Sequence, residues 1–395
     1  MTDSNPVIDQ YSIYPYPEPA EDLPAWLQTY HYNPYMPDPN AAQFWPEGRP
    51  RAKLNILVAG CGTMQGAAFA YLNPKCNVTG VDFSPASIAH EEKLRARYKL
   101  GNLSLHVMDL CDVGKLEQKF DYIVCSGVLH HMPDPAAGAK ALASVLEPAH
   151  GVMTMMLYGR FGRSGIYALQ DAFRRLRIPH SPEGVAQVRD IIRRLPRHHP
   201  GRWYFENSPE MHLDAAIVDT FLHRQDVAYS VAEVLDFVEA NGLRFQGWID
   251  PAKYAGGLDV APADIPDRDR WSIAENFCAD LTTHVFVTCR PERDPRSRIG
   301  FDDDQWLGCF PRRHPALRQS EWQDGKFVRD SYDLNLQPGE IQLAAEANGK
   351  QPAAAILKHK VFAQMPEPER QAFARDFYGR MLRLGHIFLS RVPVG

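Results

Sequence analysis

The 395-residue sequence predicts a doubly wound α/β fold: a mostly parallel seven-stranded sheet with a helical insertion and a small, mainly helical C-terminal domain. Three observations predict it. Apolar runs alternate with helical patterns between Leu54 and Gly159, the rhythm of strands and crossover helices. A glycine-rich turn around Gly60 and Gly62 joins the first run to the first helical stretch. Two carboxylates, Asp82 and Asp109, close the second and third runs.

Composition sets the outer limits. At 45% hydrophobic and 23% charged, the chain can bury a full core, and its length suggests two or three domains. A net charge of −5 argues against a general polyanion binder. No apolar run approaches the ~20 residues of a membrane span, and the leading MTDSNPVIDQ lacks the pattern of a signal peptide. The expectation is a cytoplasmic protein without membrane contact. Seven scattered cysteines form no CxxC pair, which suits reduced thiols. His130-His131 and His198-His199 are adjacent pairs rather than ligand-spaced ones, so no metal is expected.

The elements follow in order. Residues 1–50 hold ten of the 32 prolines, interleaved with aromatics such as Tyr14, Tyr16, Tyr32 and Tyr35. Disordered leaders are aromatic-poor, so this one is expected to pack over the core as a strap, with a short helix near 25–30. A core over 51–293 carries strands in the runs at 54–60, 76–82, 103–109, 120–126, 151–158, 243–250 and 283–290. Helices are expected near 64–72, 85–100 and 134–147. An insertion at about 160–226 breaks the rhythm, with ten arginines against three acids between Arg160 and Arg202. Its segments 165–177 and 184–195 read as amphipathic helices. Residues 219–229, DTFLHRQDVAY, read as a polar loop, followed by a helix that Ser230 and Glu233 begin as a capping box. Residues 294–395 form a linker and the small domain, with helices near 340–347, 352–360 and 367–388.

The chemistry lies in the first half. Gly60, Gly62 and Gly66 let the backbone turn tightly and approach a ligand, and the next helix offers N–H groups and a positive dipole end. Asp82, closing the second strand, can accept both hydroxyls of a ribose. Together they imply an adenosine-containing cofactor. The spacing is GxGxxxG, not the GxGxxG of a nicotinamide dinucleotide site. Asp109 stands where a side chain reaches the adenine amino group, and the fourth strand ends in CSGVLHHMPDP.

With these motifs in order over residues 54 to 160, the sequence resembles the class I S-adenosylmethionine-dependent methyltransferases, whose fold is Rossmann-like. The resemblance implies S-adenosyl-L-methionine as cofactor and S-adenosyl-L-homocysteine as product. Gly60, Cys61, Gly62, Thr63, Gln65 and Gly66 would form the glycine motif. Asp82 and Phe83 would take the ribose, and Asp109 and Leu110 the adenine. Ser126, Gly127 and Val128 would line the methionine part. A finer resemblance is to bacterial methyltransferases with an NPYPRW-like leader and a VAGCGTGQ loop, often fused to tetratricopeptide repeats. Here the corresponding stretches are YNPYMPDPNAAQFW and VAGCGTMQG, and no repeat region is present.

Methyl transfer needs an aligned nucleophile and, for a hydroxyl or thiol, loss of its proton. Residues beyond the carboxyl ends of the strands are placed for this. His131, Tyr158 and His223 are the candidates for catalysis. Substrate contacts are expected from His130, Arg160, Arg224 and Tyr229, and from the leader's Tyr14, Tyr16, Tyr32 and Tyr35. A small-molecule acceptor is the first expectation. RNA or protein docked on the arginine-rich insertion is the second, and a non-catalytic cofactor-binding regulator or scaffold the third. No DNA substrate is expected, because the fourth strand carries CSGV where DNA amino-methyltransferases carry DPPY. A homodimer is compatible with the sequence.

Overall fold

A computed structural model describes residues 13–14, 18–29, 33–255, 265–294, 297–314, 317, 326–329 and 332–393. Seven strands form the sheet's main path: β1 (Asn55–Ala59), β2 (Asn77–Asp82), β3 (Leu103–Val107), β4 (Tyr122–Ser126), β5 (Val152–Gly159), β7 (Arg244–Trp248) and β8 (Thr283–Cys289). A two-residue strand, β6 (Ala228–Tyr229), pairs beside the end of β5. The order is β3-β2-β1-β4-β5-β8-β7, all parallel except β8, which runs against both β5 and β7. Strand order reverses between β1 and β4, so the crevice outside their carboxyl ends is the topological switch point where such sheets bind ligands.

Period-two alternation explains the two layers. Leu57 and Ala59 of β1 face one cluster, with Ala139 and Leu142 of the helix Pro135–Val145 and with Val231, Val234 and Val238 of the helix Val231–Ala240. Ile56 and Val58 face the other, with Ala67 and Phe69 of the helix Gln65–Leu72. Ser84 and Asp134 each cap a helix that opens with proline, pairing a side-chain acceptor with a residue that lacks the orphan N–H. The capping box of Ser230 and Glu233 forms as the sequence predicts.

The leader packs on the second layer. Leu23, Met36, Phe44 and Trp45 are buried in it, and Phe44 stacks on Tyr122 of β4 at 5.3 Å between centroids. Burying side chains of this size stabilises the fold by about 1.5–3 kcal/mol each, which an unpacked leader forgoes. Glu47 and the backbone carbonyl of Phe44 satisfy the buried Arg293 guanidinium.

The insertion forms its own small core. Helices at Ser164–Arg175, Pro182–Arg194, Pro200–Asn207 and Asp214–Phe221 bury Ile166, Phe173, Val188, Ile192 and Phe221 together. The first two match expectation. The last corrects the loop reading of 219–229: Asp219 to Phe221 end a helix whose apolar face the polar flanks masked.

The C-terminal part is also more mixed than its helical pattern suggests. Helix Glu367–Arg383 stops short of 388, because Gly385 turns with φ +66° into a strand, Ile387–Ser390. That strand pairs antiparallel with Phe310–Arg313. Its end returns to the leader, where the Arg391 N–H donates to the Pro46 carbonyl at 2.6 Å.

Candidate functional site

The glycine turn is shaped by its neighbours. Gly60 and Gly62 adopt φ +70° and +58°, and a Cβ on Gly60 would lie 2.1 Å from Val128 Cγ2. Only glycine lets this turn pass beneath the segment after β4. Asp82 ties the turn to the next loop: its carboxylate accepts the N–H of Gly62 and of Ser84, each at 2.9 Å. Burial raises its pKa, and these two backbone donors partly counter that. Each oxygen keeps a second lone pair. Cys61 and Thr63 are buried, and Gln65 and Phe83 half-buried.

The N–H groups at the start of helix Gln65–Leu72 are not free, contrary to the sequence expectation. Gly66 and Ala67 both donate to the carboxylate of the fully buried Glu91, each at 2.7 Å. A Cβ on Gly66 would sit 3.0 Å from Glu91 Oε1, so this glycine makes room for a carboxylate of the chain itself. Burial pushes the Glu91 carboxyl up to about 8, against the pull of the two N–H donors.

Asp109 is exposed beyond the end of β3, and its Oδ1 accepts the Cys111 N–H at 2.8 Å; Leu110 is buried beside it. After β4, Ser126 Oγ donates to the Tyr35 hydroxyl at 3.0 Å, and Tyr122 donates to the Tyr35 carbonyl at 2.7 Å. The leader is thereby pinned over the end of β4. Gly127 has φ +77°, and no atom lies within 4 Å of where its Cβ would be. Val128 is half-buried next to it.

Farther along the same edge, the sheet meets the insertion in a buried ring cluster. The 3-10 turn Leu129–His131 places His130 against Tyr158 at 3.7 Å, and His131 against His223 at 4.0 Å between centroids. Gln225 holds both outer rings: its carbonyl faces His131 Nδ1 at 3.3 Å, and its N–H donates to His223 Nδ1 at 3.0 Å. Its side chain donates to the His131 carbonyl at 3.1 Å. The returning segment is closed by the Val227 N–H on the His130 carbonyl and by β6 beside Tyr158 and Gly159.

Burial keeps all three imidazoles neutral. It pushes His131 and His223 down to about 3 and His130 well below the usual range. Arg163, 2% exposed, lies over the Tyr158 ring at 3.5 Å, with Asp226 3.6 Å away.

Residues 57–153 match the family described as a methyltransferase domain. An uncharacterized protein of Synechococcus sp. is 30% identical over 365 residues, covering 85% of this chain and 82% of its own length. Residues 57–153 thus form a class I S-adenosylmethionine-dependent methyltransferase domain. S-adenosylmethionine is the cofactor of this methyltransferase, and S-adenosylhomocysteine the product. A ubiquinone biosynthesis O-methyltransferase of Alkalilimnicola ehrlichii is 29% identical over 143 residues, 35% of this chain and 54% of that enzyme. PKMT2 from Rickettsia typhi, also solved with AdoHcy, shares the fold at TM-score 0.64 and 16% identity, over 92% of this chain and 76% of that one.

Of the methyltransferase's other expected contacts, Tyr229 is half-buried, and its carbonyl accepts from His284. Arg160 is exposed and pairs with Glu233 at 2.8 Å; Arg224 is exposed. Tyr14 packs on the insertion's core rather than on the switch-point crevice. Tyr16 and Tyr32 lie outside the described residues. A groove of about 840 Å³ bounded by Lys53, Lys75 and Lys99 opens at the amino ends of the strands, opposite the chemistry. Glu91 and Gln225 escaped the sequence reading. Glu91 looks like any surface acid in a helical HEEKLR, and Gln225 acts mostly through its backbone.

Proposed function

We propose that this methyltransferase alkylates an oxygen, nitrogen or sulfur nucleophile of a small molecule. The carrying observation is the closure of the acceptor side. His131, Tyr158 and His223 are 7%, 8% and 2% exposed beneath the insertion and its returning segment. A small acceptor suits so enclosed a place better than a polymer does. The partial likeness to a ubiquinone biosynthesis O-methyltransferase favours oxygen as the acceptor atom.

The residues present fit the cofactor. Asp82 retains lone pairs for a ribose, Asp109 is exposed beside Leu110, and Gly127 leaves open space at the end of β4. With Gly60, Cys61, Gly62, Thr63, Gln65, Phe83, Ser126 and Val128 they form the proposed binding edge, whereas Gly66 is taken up by Glu91. When bound, the cofactor supplies a methyl group on a sulfonium leaving group. The chain's part is to align the acceptor. His131 serves this: with Nδ1–H turned to the Gln225 carbonyl, its Nε2 lone pair faces away from that bond and can take a hydrogen bond from the acceptor, while burial makes the ring a weak base. Tyr158 and His223 shape the same wall, and Tyr35 covers the crevice from the leader.

Docking of RNA or protein on the arginine-rich face is the weaker reading. Arg175, Arg194 and Arg202 are engaged by acids one turn away on their own helices, and Arg189 by Asp214. Incubation with methyl-labelled cofactor and a host extract, split into small-molecule, RNA and protein fractions, decides between them. Label in the small-molecule fraction is expected. Label confined to RNA or protein overturns the proposal.

A further inference from the structure

Resting on the reading of this edge as the acceptor site, we propose that His131, Asp219 and His223 form a zinc site that binds the acceptor atom. The three side chains come from separate places in the chain: the 3-10 turn after β4, the end of helix Asp214–Phe221, and the segment that follows it. Each offers a ligand atom, and these atoms lie within 4.8 Å of one another. All three residues are buried, at 7%, 4% and 2% exposure. Tetrahedral zinc with bonds of about 2.0–2.1 Å sets its ligand atoms roughly 3.3 Å apart, so a modest contraction completes the set.

The donor chemistry selects the metal. Two imidazoles and one carboxylate suit a borderline divalent ion, whereas magnesium and calcium favour all-oxygen shells. Three protein ligands leave the fourth position of a tetrahedral ion open, the arrangement of a catalytic rather than a structural zinc. Orientation is built in for His131, whose Nδ1 faces the Gln225 carbonyl and leaves Nε2 to ligate.

His223 has to change partner. Its Nδ1 accepts the Gln225 N–H. Ligation through Nδ1 displaces that donor, and ligation through Nε2 moves the ring proton to Nδ1, so either mode gives up this hydrogen bond. Charge also has a consequence. Arg163 and Asp226 offset each other, so zinc and Asp219 together leave one positive charge in a buried place. An acceptor hydroxyl or thiol that binds the open position and releases its proton to water cancels that charge. The methylated product, neutral again, binds the ion less well and departs.

The test uses the full chain, stripped with chelator and titrated with Co2+ under visible absorption, then with Zn2+ in competition. One ion per chain is expected, with bands typical of four-coordinate cobalt, displaced by zinc. His223→Gln and Asp219→Asn should each weaken binding at least tenfold, while His130→Gln leaves it unchanged. Thermal midpoint and cofactor affinity, measured on each variant, show that it is folded. Absence of stoichiometric cobalt binding in the wild-type chain overturns the site, as does equal binding by a folded His223→Gln. Equal turnover by stripped and zinc-loaded protein overturns its part in acceptor binding. The proposed small-molecule acceptor stands or falls separately, on which fraction takes the label.

Discussion

His131 and His223 stack with ring centroids 4.0 Å apart and planes inclined by 29°, held by opposite ends of the Gln225 backbone. Burial pushes both rings down to about 3, whereas in an unfolded chain they titrate near ~6.5. Between those values the unfolded state binds more protons, so stability rises with pH there. The contribution is complete above ~6.5 and is lost as pH falls toward about 3. From pH 7 to 5 the loss should be about 1–2 kcal/mol per ring. Urea unfolding across this range checks it: a folded His131→Gln, His223→Gln double variant should show a flatter profile than wild type.

Glu91 has the opposite sign. Its folded value of about 8 lies above the usual carboxyl value, so its contribution is present at low pH and lost as pH rises toward 8. Glu91→Gln should flatten the decline between pH 5 and 8. It should also cost about 1–3 kcal/mol, because an amide has one acceptor for two backbone donors. Unfolding profiles of the two proteins compared at each pH separate this effect from that of the histidines.

Asp82→Ala removes the acceptor for Gly62 and Ser84 along with the proposed ribose contact. Cofactor affinity measured by calorimetry should fall at least tenfold. Unchanged affinity in a folded variant would remove this residue from the binding edge.

Tyr35→Phe keeps the ring and deletes the hydroxyl that accepts from Ser126. If the leader closes the crevice, the KM for cofactor should rise several-fold with the thermal midpoint little changed. Deleting residues 1–40 should cost cofactor affinity or turnover too, but it also strips Leu23 and Met36 from the core. Steady-state kinetics of the point variant is therefore the cleaner measurement.

Much of the fold was legible because local pattern and burial agree. The runs ending near Ala59, Asp82 and Ser126 are β-rich and buried on both faces, and the helical stretches expected near 85–100 and 134–147 form as the helices opening at Pro85 and Pro135. The misreadings have physical causes. DTFLHRQDVAY carries enough polar residues to look like a loop, yet Phe221 and its neighbours pack against the insertion's own helices. The final helix ends early because Gly385 takes a left-handed turn and Ile387–Ser390 finds a strand partner far back in the chain.

By itself, the sequence determined the runs of the sheet, the glycine turn, the two carboxylates that follow it and the cofactor they imply, because each is written as a pattern over a short stretch of chain. Tertiary structure decided the rest. Glu91 fills the helix end that the glycines leave, Tyr35 is pinned to Ser126, and a segment returning from the insertion sets His223 against His131. Those arrangements join residues whose spacing in the chain carries no periodic signal. They exist only once burial of the insertion and leader brings the segments together, and burial also strips the histidines of their charge.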